Sequence, residues 1–395
     1  MDALQAAARG DRHKMGYRKL HPVEGLDFAL NRWLPYMREA EVAEAATRIA
    51  SLDDWRREFT RLAELAEQEC RPLNGAFYYC AAEFFLGRDS AVRAGLMDRS
   101  LRLYDEVIRD WGAERHDVPY ESGALPALVL RAKGRRLDTL VVHGGFDSYK
   151  EELFMAAPDY AAMGFDVIVF DGPGQGQALR RHGLVMPSDW ERPVGAVLSH
   201  FGLTDCTLMG FSLGGYLAPR AAAYDDRIKR LIVNDVLFDF FAVFANRMPA
   251  AAALALEAAL DAHDGGTVNA IVEGLAATSD VIRWALAHGV EVSGAKDYVD
   301  YFRWLRKMTT AEFSHRITQD VLVLAAKEDH IVPMRQFYQQ VEALTDVSSL
   351  TAQVFTRADH AHQHCHVANT AMVIDFVGTW LRFQNRLASD RMNLP

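Results

Sequence analysis

Six residues limit most strongly what this 395-residue chain can become: Gly210-Phe211-Ser212-Leu213-Gly214-Gly215, set between the apolar run CTLM from Cys206 and the helical pattern YLAPRAAAY. A strand that passes directly into a helix through a G-x-S-x-G step turns so tightly that only small residues fit on either side of the serine. The same turn lifts the serine hydroxyl to the carboxyl edge of a sheet, where it can serve as a nucleophile. The five-residue pattern alone also describes an ordinary glycine-rich turn, and its place between strand and helix favours the catalytic reading.

The surrounding pattern requires a sheet of that kind. After Val118 short apolar runs begin at Leu125, Asp138, Phe165, Cys206, Ile228, Val321 and Ala352, with helical patterns between them. Near-continuous apolar runs are what parallel strands covered on both faces look like, so the reading is a doubly wound, mostly parallel α/β sheet. From Leu26 to Asp110 strand-like runs are almost missing and apolar residues recur at helical spacing. Residues 1–118 are therefore expected to form an N-terminal helical domain, with Ser51 starting one helix, and 119–395 the α/β domain. The aromatic stripe Phe77, Tyr78, Tyr79, Phe84 and Phe85 reads as core packing, with a ligand-lining role as the alternative. Between Leu237 and Thr318 the strand rhythm breaks into Ala-rich and aromatic helical patterns. An insertion of that length is expected to be a helical cap at about 237–318.

Composition narrows the function classes. Lys+Arg 43 against Asp+Glu 53 gives a formal charge of −10, which argues against general binding to a nucleic-acid backbone. Cys70, Cys80, Cys206 and Cys365 are scattered and form no CxxC pair, so no disulfide framework or redox motif is expected. The first twenty residues lack the apolar core of a secretory leader. The longest apolar run, Pro249 to Leu256, falls far short of the ~18–20 residues that span a bilayer. The expectation is a cytoplasmic protein with a small-molecule substrate and neither nucleic-acid nor membrane partner.

A serine hydroxyl needs a base to take its proton and an acid to orient that base. The expected chain order is serine, acid, histidine. The run VLVLAAKEDHIVP ends in Glu328 and Asp329; Asp329, one step further past the strand and before the turn residue Pro333, is preferred. The base should follow the last strand, where His360, His362, His364 and His366 crowd into seven residues. Spacing alone does not choose among them. A metal site is the alternative use of such a cluster, but zinc ligands are usually separated in the fold, so no metal or other cofactor is expected. Backbone N–H groups that hold a developing oxyanion are expected from Leu213 and from Phe146, or Gly145 if the turn is tighter, in the stretch His143-Gly144-Gly145-Phe146. The loop Asp171 to Gly176, DGPGQG, resembles a phosphate loop. It lacks the Lys-Ser/Thr of a P-loop and the G-x-G-x-x-G spacing, so it reads as a tight loop shaping the floor of the site.

Taken together, these motifs resemble the α/β-hydrolase superfamily. Within it they resemble the group of the fermentation-respiration switch esterase, and the branch with dihydroxypseudooxynicotine hydrolase and the fungal hydrolases that shorten polyketides. The resemblance runs through AFYYCAAEFF, GGFDSYKEELF from Gly144 to Phe154, DGPGQG, GFSLGG, KEDHIVP and a histidine followed by cysteine. It implies an α/β-hydrolase fold, an active site between the core and the helical segments, and a homodimer in some members. In that branch the catalytic histidine directly precedes a cysteine, which selects His364 and makes Cys365 a semi-buried neighbour. Carbon–carbon hydrolases of the branch carry an extra acid after the elbow strand. Here Asp235 and Asp239 are the acids available, and with Phe211 they are the candidates for substrate contact.

The resulting expectation is a Ser212–His364–Asp329 serine hydrolase acting on an ester or ketone. The rings Phe77, Tyr78, Trp284, Tyr298, Tyr301, Phe302 and Trp304 suggest a medium-sized aromatic or polyketide-like substrate. Acyl transfer or cyclisation on the same residues, and a non-catalytic binding role on this scaffold, are the alternatives.

Overall fold

The computed structural model describes residues 16–392. Residues 1–15, which carry most of the segment read above for a secretory leader and the start of the expected helical domain, lie outside the described residues, as do 393–395.

The described chain opens with five α-helices: α1 (Glu24–Trp33), α2 (Glu39–Ala46), α3 (Leu52–Gln68), α4 (Pro72–Phe84) and α5 (Arg93–Ile108). The long helical pattern after Leu26 is divided by a short 3-10 turn at Leu34–Tyr36, where Pro35 cannot continue the hydrogen-bond ladder. Ser51 caps α3, its Oγ accepting from the Asp54 N–H at 3.2 Å. Trp55, Phe59, Leu62 and Ala66 recur at helical spacing on α3 and are all buried. Helix α4 is buried on nearly every side between α3 and α5, which is why its pattern shows almost no polar face. The rings of its aromatic stripe are packed in core, and Tyr78 and Tyr79 donate to Glu41 at 2.6 Å and Glu67 at 2.5 Å.

Eight strands follow: β1 (Glu114–Tyr120), β2 (Gly123–Leu130), β3 (Asp138–His143), β4 (Phe165–Phe170), β5 (Cys206–Phe211), β6 (Ile228–Asn234), β7 (Asp320–Ala326) and β8 (Ser349–Phe355). They form one sheet in the order β1-β2-β4-β3-β5-β6-β7-β8. Strand β2 runs antiparallel to both neighbours and the rest are parallel. Strand β1 was not expected, and all but its last two residues fall inside the stretch 1–118 read as helical. Its sequence ERHDVPY opens with four consecutive polar residues, and Arg115, Asp117 and Pro119 are exposed because the strand lies at the sheet edge with one face toward solvent, so no apolar run announces it.

Alternation along the central strands divides the core. Leu140, Val142, Val167, Val169, Met209 and Ile232 join a cluster with the rings of α1–α5. Val141, Ile168, Leu208, Leu231 and Val233 face the other way, into a cluster with residues of the β6–β7 segment. Each fully buried Leu or Phe contributes roughly 1.5–3 kcal/mol. The N-terminal helices are thus held on the sheet by continuous apolar packing. Between β6 and β7 the chain runs through the helices Phe240–Ala245, Ala250–Asp261, Gly265–Ala276, Asp280–Ser293 and Tyr298–Arg306. No helix among the described residues is long and apolar enough to cross a membrane.

Candidate active site

Strand β5 ends at Phe211, and the chain turns at Ser212, whose φ of 58° is the strained left-handed value of a sharp strand-to-helix turn. The helix Gly214–Ala222 begins two residues later. Glycine is required on both sides: a Cβ at Gly210 would collide with the Gly214 carbonyl, and one at Gly215 with the Asp235 carbonyl. The Ser212 N–H is bonded to Asn234 O at 2.9 Å, which ties the turn to the end of β6.

The four crowded histidines separate in space. His360 is exposed, and the buried His366 faces Ala361 O through Nδ1 at 3.0 Å. Burial pushes the His366 pKa down to about 4. His362 is buried, with its carbonyl accepting from the Glu328 N–H at 2.9 Å. His364 alone of the four reaches the serine: its Nε2 is 2.9 Å from Ser212 Oγ, and its Nδ1 is 2.6 Å from Asp329 Oδ2. The other oxygen of Asp329 accepts the N–H groups of Ile331 at 2.7 Å and Val332 at 2.9 Å. The competing acid, Glu328, points outward to an exposed ion pair with Arg357.

Burial disfavours a charged imidazole at His364, but the adjacent Asp329 carboxylate outweighs it and holds the His364 pKa well above the ordinary value. Burial likewise pushes Asp329 up, and His364 with the two backbone donors outweighs it, so Asp329 sits below the usual carboxylate range.

The expected oxyanion donors lie beside this row. Among the described residues, neither the Leu213 nor the Phe146 N–H is given to a protein acceptor. The Leu213 N–H also lies at the start of the Gly214–Ala222 helix, whose dipole favours negative charge. The Gly145 N–H instead faces Ser148 Oγ at 3.4 Å. A side chain at Gly145 would bring a Cβ 2.5 Å from the Leu213 nitrogen, so glycine keeps the elbow approachable.

The three substrate-contact candidates part company. Phe211 is half-buried and, with Tyr36, Met209, Asn234 and Cys365, lines a cavity of about 90 Å³. Asp235 is buried behind His364, accepting from the Cys365 N–H at 2.6 Å and lying 3.5 Å from His364 Nδ1. Burial, and after it the neighbouring Asp329, push its pKa well up. Asp239 is committed elsewhere: its carboxylate caps the Phe240–Ala245 helix through the Ala242 N–H at 2.9 Å. Asp235, His364 and Cys365 could approach a metal with three donor atoms. Both His364 nitrogens are already engaged, so a metal there would break the contact with Ser212 or Asp329.

Sequence reasoning missed Phe28, whose ring lies 6.0 Å from that of His364 and 4.7 Å from that of His330. It also missed Arg32, Gln175 and His288, which hold the loop carrying Phe146. All but Gln175 come from distant parts of the chain, and no local motif marks them. Gln175 sits in DGPGQG, whose position after the strand beside β3 was the available signal.

The family model of the alpha/beta hydrolase fold matches residues 140–364, the stretch holding Ser212, Asp329 and His364. The chain is 30% identical over 308 residues to "Hydrolase acrC" of Aspergillus aculeatus, covering 70% of this chain and 71% of the relative. It is 30% identical over 313 residues to "20-hydroxy-prefusarin hydrolase FUS2" of Gibberella moniliformis, covering 68% and 73%. The solved 2,6-dihydroxy-pseudo-oxynicotine hydrolase shares the fold with a TM-score of 0.64 at 19% identity, over 89% of this chain and 94% of that one. The chain belongs to the α/β-hydrolase fold family, with these fungal hydrolases among its relatives. It is a hydrolase.

Proposed function

We propose that the chain is a serine hydrolase that cleaves an acyl bond, either an ester or the carbon–carbon bond of a β-dicarbonyl, in a medium-sized aromatic or polyketide-like metabolite. The observation that carries this reading is the continuous row Ser212 Oγ, His364 and Asp329 at 2.9 and 2.6 Å. Ser212 Oγ bonds to the substrate carbonyl carbon while its proton passes to His364 Nε2, and the carbonyl oxygen becomes an oxyanion. The N–H groups of Leu213 and Phe146 hold that charge, each contributing about 3 kcal/mol to the barrier lowering. Collapse expels an alkoxide or an enolate, which takes the proton from His364. Water, deprotonated by the same imidazole, then releases the acid from Ser212.

The substrate class is supported by the rings above the site. Phe28 faces His364, and Phe146 meets Phe240 at 5.6 Å. It is also supported by the fungal relatives, one of which is named as a hydrolase of 20-hydroxy-prefusarin. A cytoplasmic setting is supported by four free cysteines, and pairing of two copies rests on the family resemblance alone. Product analysis with an aryl ester and an aryl β-diketone tests the reading. The expected result is Ser212-dependent release of a carboxylic acid, with a ketone as second product from the β-diketone. Absence of acid from both substrates, or acid release that persists in Ser212→Ala, contradicts it.

A further inference from the structure

Four consecutive carbonyls of the loop after β3 are each held from behind by a side chain. Gly144 O accepts from Gln175 Nε2 at 2.9 Å and faces His143 Nδ1 at 2.8 Å. Gly145 O accepts from the same Gln175 nitrogen at 3.0 Å. Phe146 O faces His288 Nε2 at 3.1 Å, and Asp147 O accepts from Arg32 Nη2 at 3.2 Å. The donors come from β3 itself, the DGPGQG loop, the β6–β7 helices and helix α1. A carbonyl and the N–H of the same peptide point in opposite directions. Pulling the Gly145 carbonyl toward Gln175 therefore turns the Phe146 N–H away from Gln175, and that N–H is the one left without a protein acceptor.

We propose that Gln175 and His288 are positioning residues for the oxyanion hole: they fix the two peptide planes flanking Phe146, so that seating of the helical segments completes the hole. This rests on the serine-hydrolase reading above and adds where the hole gets its rigidity. Gln175 is itself locked, its Oε1 accepting from the Gly172 N–H at 2.9 Å, so both amide hydrogens are committed to the two carbonyls. His288 faces a carbonyl, which only accepts, so Nε2 carries the proton. The ring is held by stacking on Trp284 at 5.1 Å and by an edge contact with the Phe146 ring at 5.0 Å. Glu291 lies 4.0 Å from Nδ1 and Asp147 also favours the charged ring, but burial, helped by the Arg180 charge, outweighs both and lowers the imidazole pKa to about 4. Arg32 does the same for Asp147 from α1 while also pairing with the carboxylates of Asp147 and Glu152. Its removal therefore tests the fold as much as the site.

The test compares Gln175→Leu, His288→Leu and His288→Gln with the wild type on an aryl ester, alongside the affinity of an aryl trifluoromethyl ketone. The oxygen of that inhibitor becomes an oxyanion when Ser212 adds to it. Each leucine variant is expected to lower kcat by about 10–10³-fold with KM within about threefold, and to weaken the ketone by a similar factor. His288→Gln, which keeps a donor nitrogen, is expected to recover most of the loss. Leucine variants within twofold of wild-type kcat overturn the proposal. So does a fall in kcat with unchanged ketone affinity, or one that glutamine at 288 does not relieve. If Gln175→Leu fails to fold, the His288 pair decides alone. Failure of the serine-hydrolase reading is separately visible, because the wild type would then hydrolyse the ester no faster than Ser212→Ala.

Discussion

Ser212→Ala is expected to lower kcat/KM for an aryl ester by about 10⁴–10⁶-fold while leaving the urea unfolding midpoint close to that of the wild type. The hydroxyl is bonded to His364 and stands at the edge of the site, so its loss opens no cavity in the core. His364→Ala is expected to cost a similar factor. The double variant should be no worse than either single one, because a nucleophile and its base act as a unit. Asp329→Asn should cost about 10³–10⁴-fold by spoiling the imidazole tautomer, as in the serine-protease case from which that factor comes. The pH profile carries the sign of the electrostatics. His364 must be neutral to accept the Ser212 proton, and Asp329 stabilises its charged form. Wild-type kcat/KM should therefore rise with pH along a limb centred above 6.5, the ordinary histidine value. In Asp329→Asn the residual activity should rise at lower pH, since the carboxylate that favours the imidazolium is gone. An unshifted limb would mean that Asp329 does not face the base.

Glu83→Leu is expected to be the most destabilising single change outside the site. Glu83 lies on α4 with 1% of its surface exposed. It accepts from Arg93 Nε at 2.9 Å, Arg180 Nε at 2.6 Å and the Tyr149 hydroxyl at 2.5 Å. Arg93 continues to Glu291 at 2.8 Å, so one buried network joins the N-terminal helices, the sheet domain and the β6–β7 helices. Burial opposes the Glu83 charge, and Arg180 and Arg93 more than offset it, keeping the carboxylate ionised. Leucine would leave two buried guanidinium groups short of a partner in a cluster where Arg93 Nη2 already lacks one. Removing one member of a buried ion pair costs roughly 3–5 kcal/mol, whereas the Arg357–Glu328 pair stands in water that screens it, and its loss is expected to move the midpoint little. Urea unfolding of Glu83→Leu and Glu328→Ala side by side measures the contrast. Similar midpoints for the two would remove Glu83 from any role in holding the three parts together.

What could be read in the sequence follows from how local each signal is. The elbow was legible because sterics demand glycine at 210 and 215, whatever the rest of the chain does. Asp329 was legible because the apolar run of β7 ends at Ala326, three residues before it, and the turn residue Pro333 follows. His364 was not legible from spacing, since four histidines share one loop; resemblance selected it, and the geometry places that one beside Ser212. Asp239 looked equivalent to Asp235 in sequence, yet four residues further on it caps a helix, and only the fold separates the two. Strand β1 was missed because this edge strand, half-open to water, opens with four polar residues and carries no apolar run or alternation that marks a strand. Gln175, His288 and Arg32 act through contacts between segments far apart in the chain, which no window of sequence contains.

The most direct measurement is intact-mass and peptide-mapping analysis after treatment with an aryl fluorophosphonate. If Ser212 is a nucleophile activated by His364, one equivalent adds, the modified peptide contains Ser212, and Ser212→Ala and His364→Ala stay unlabelled on the same timescale. Stoichiometric labelling at another residue, or wild-type protein that stays unlabelled under conditions that saturate an active serine esterase, contradicts the account.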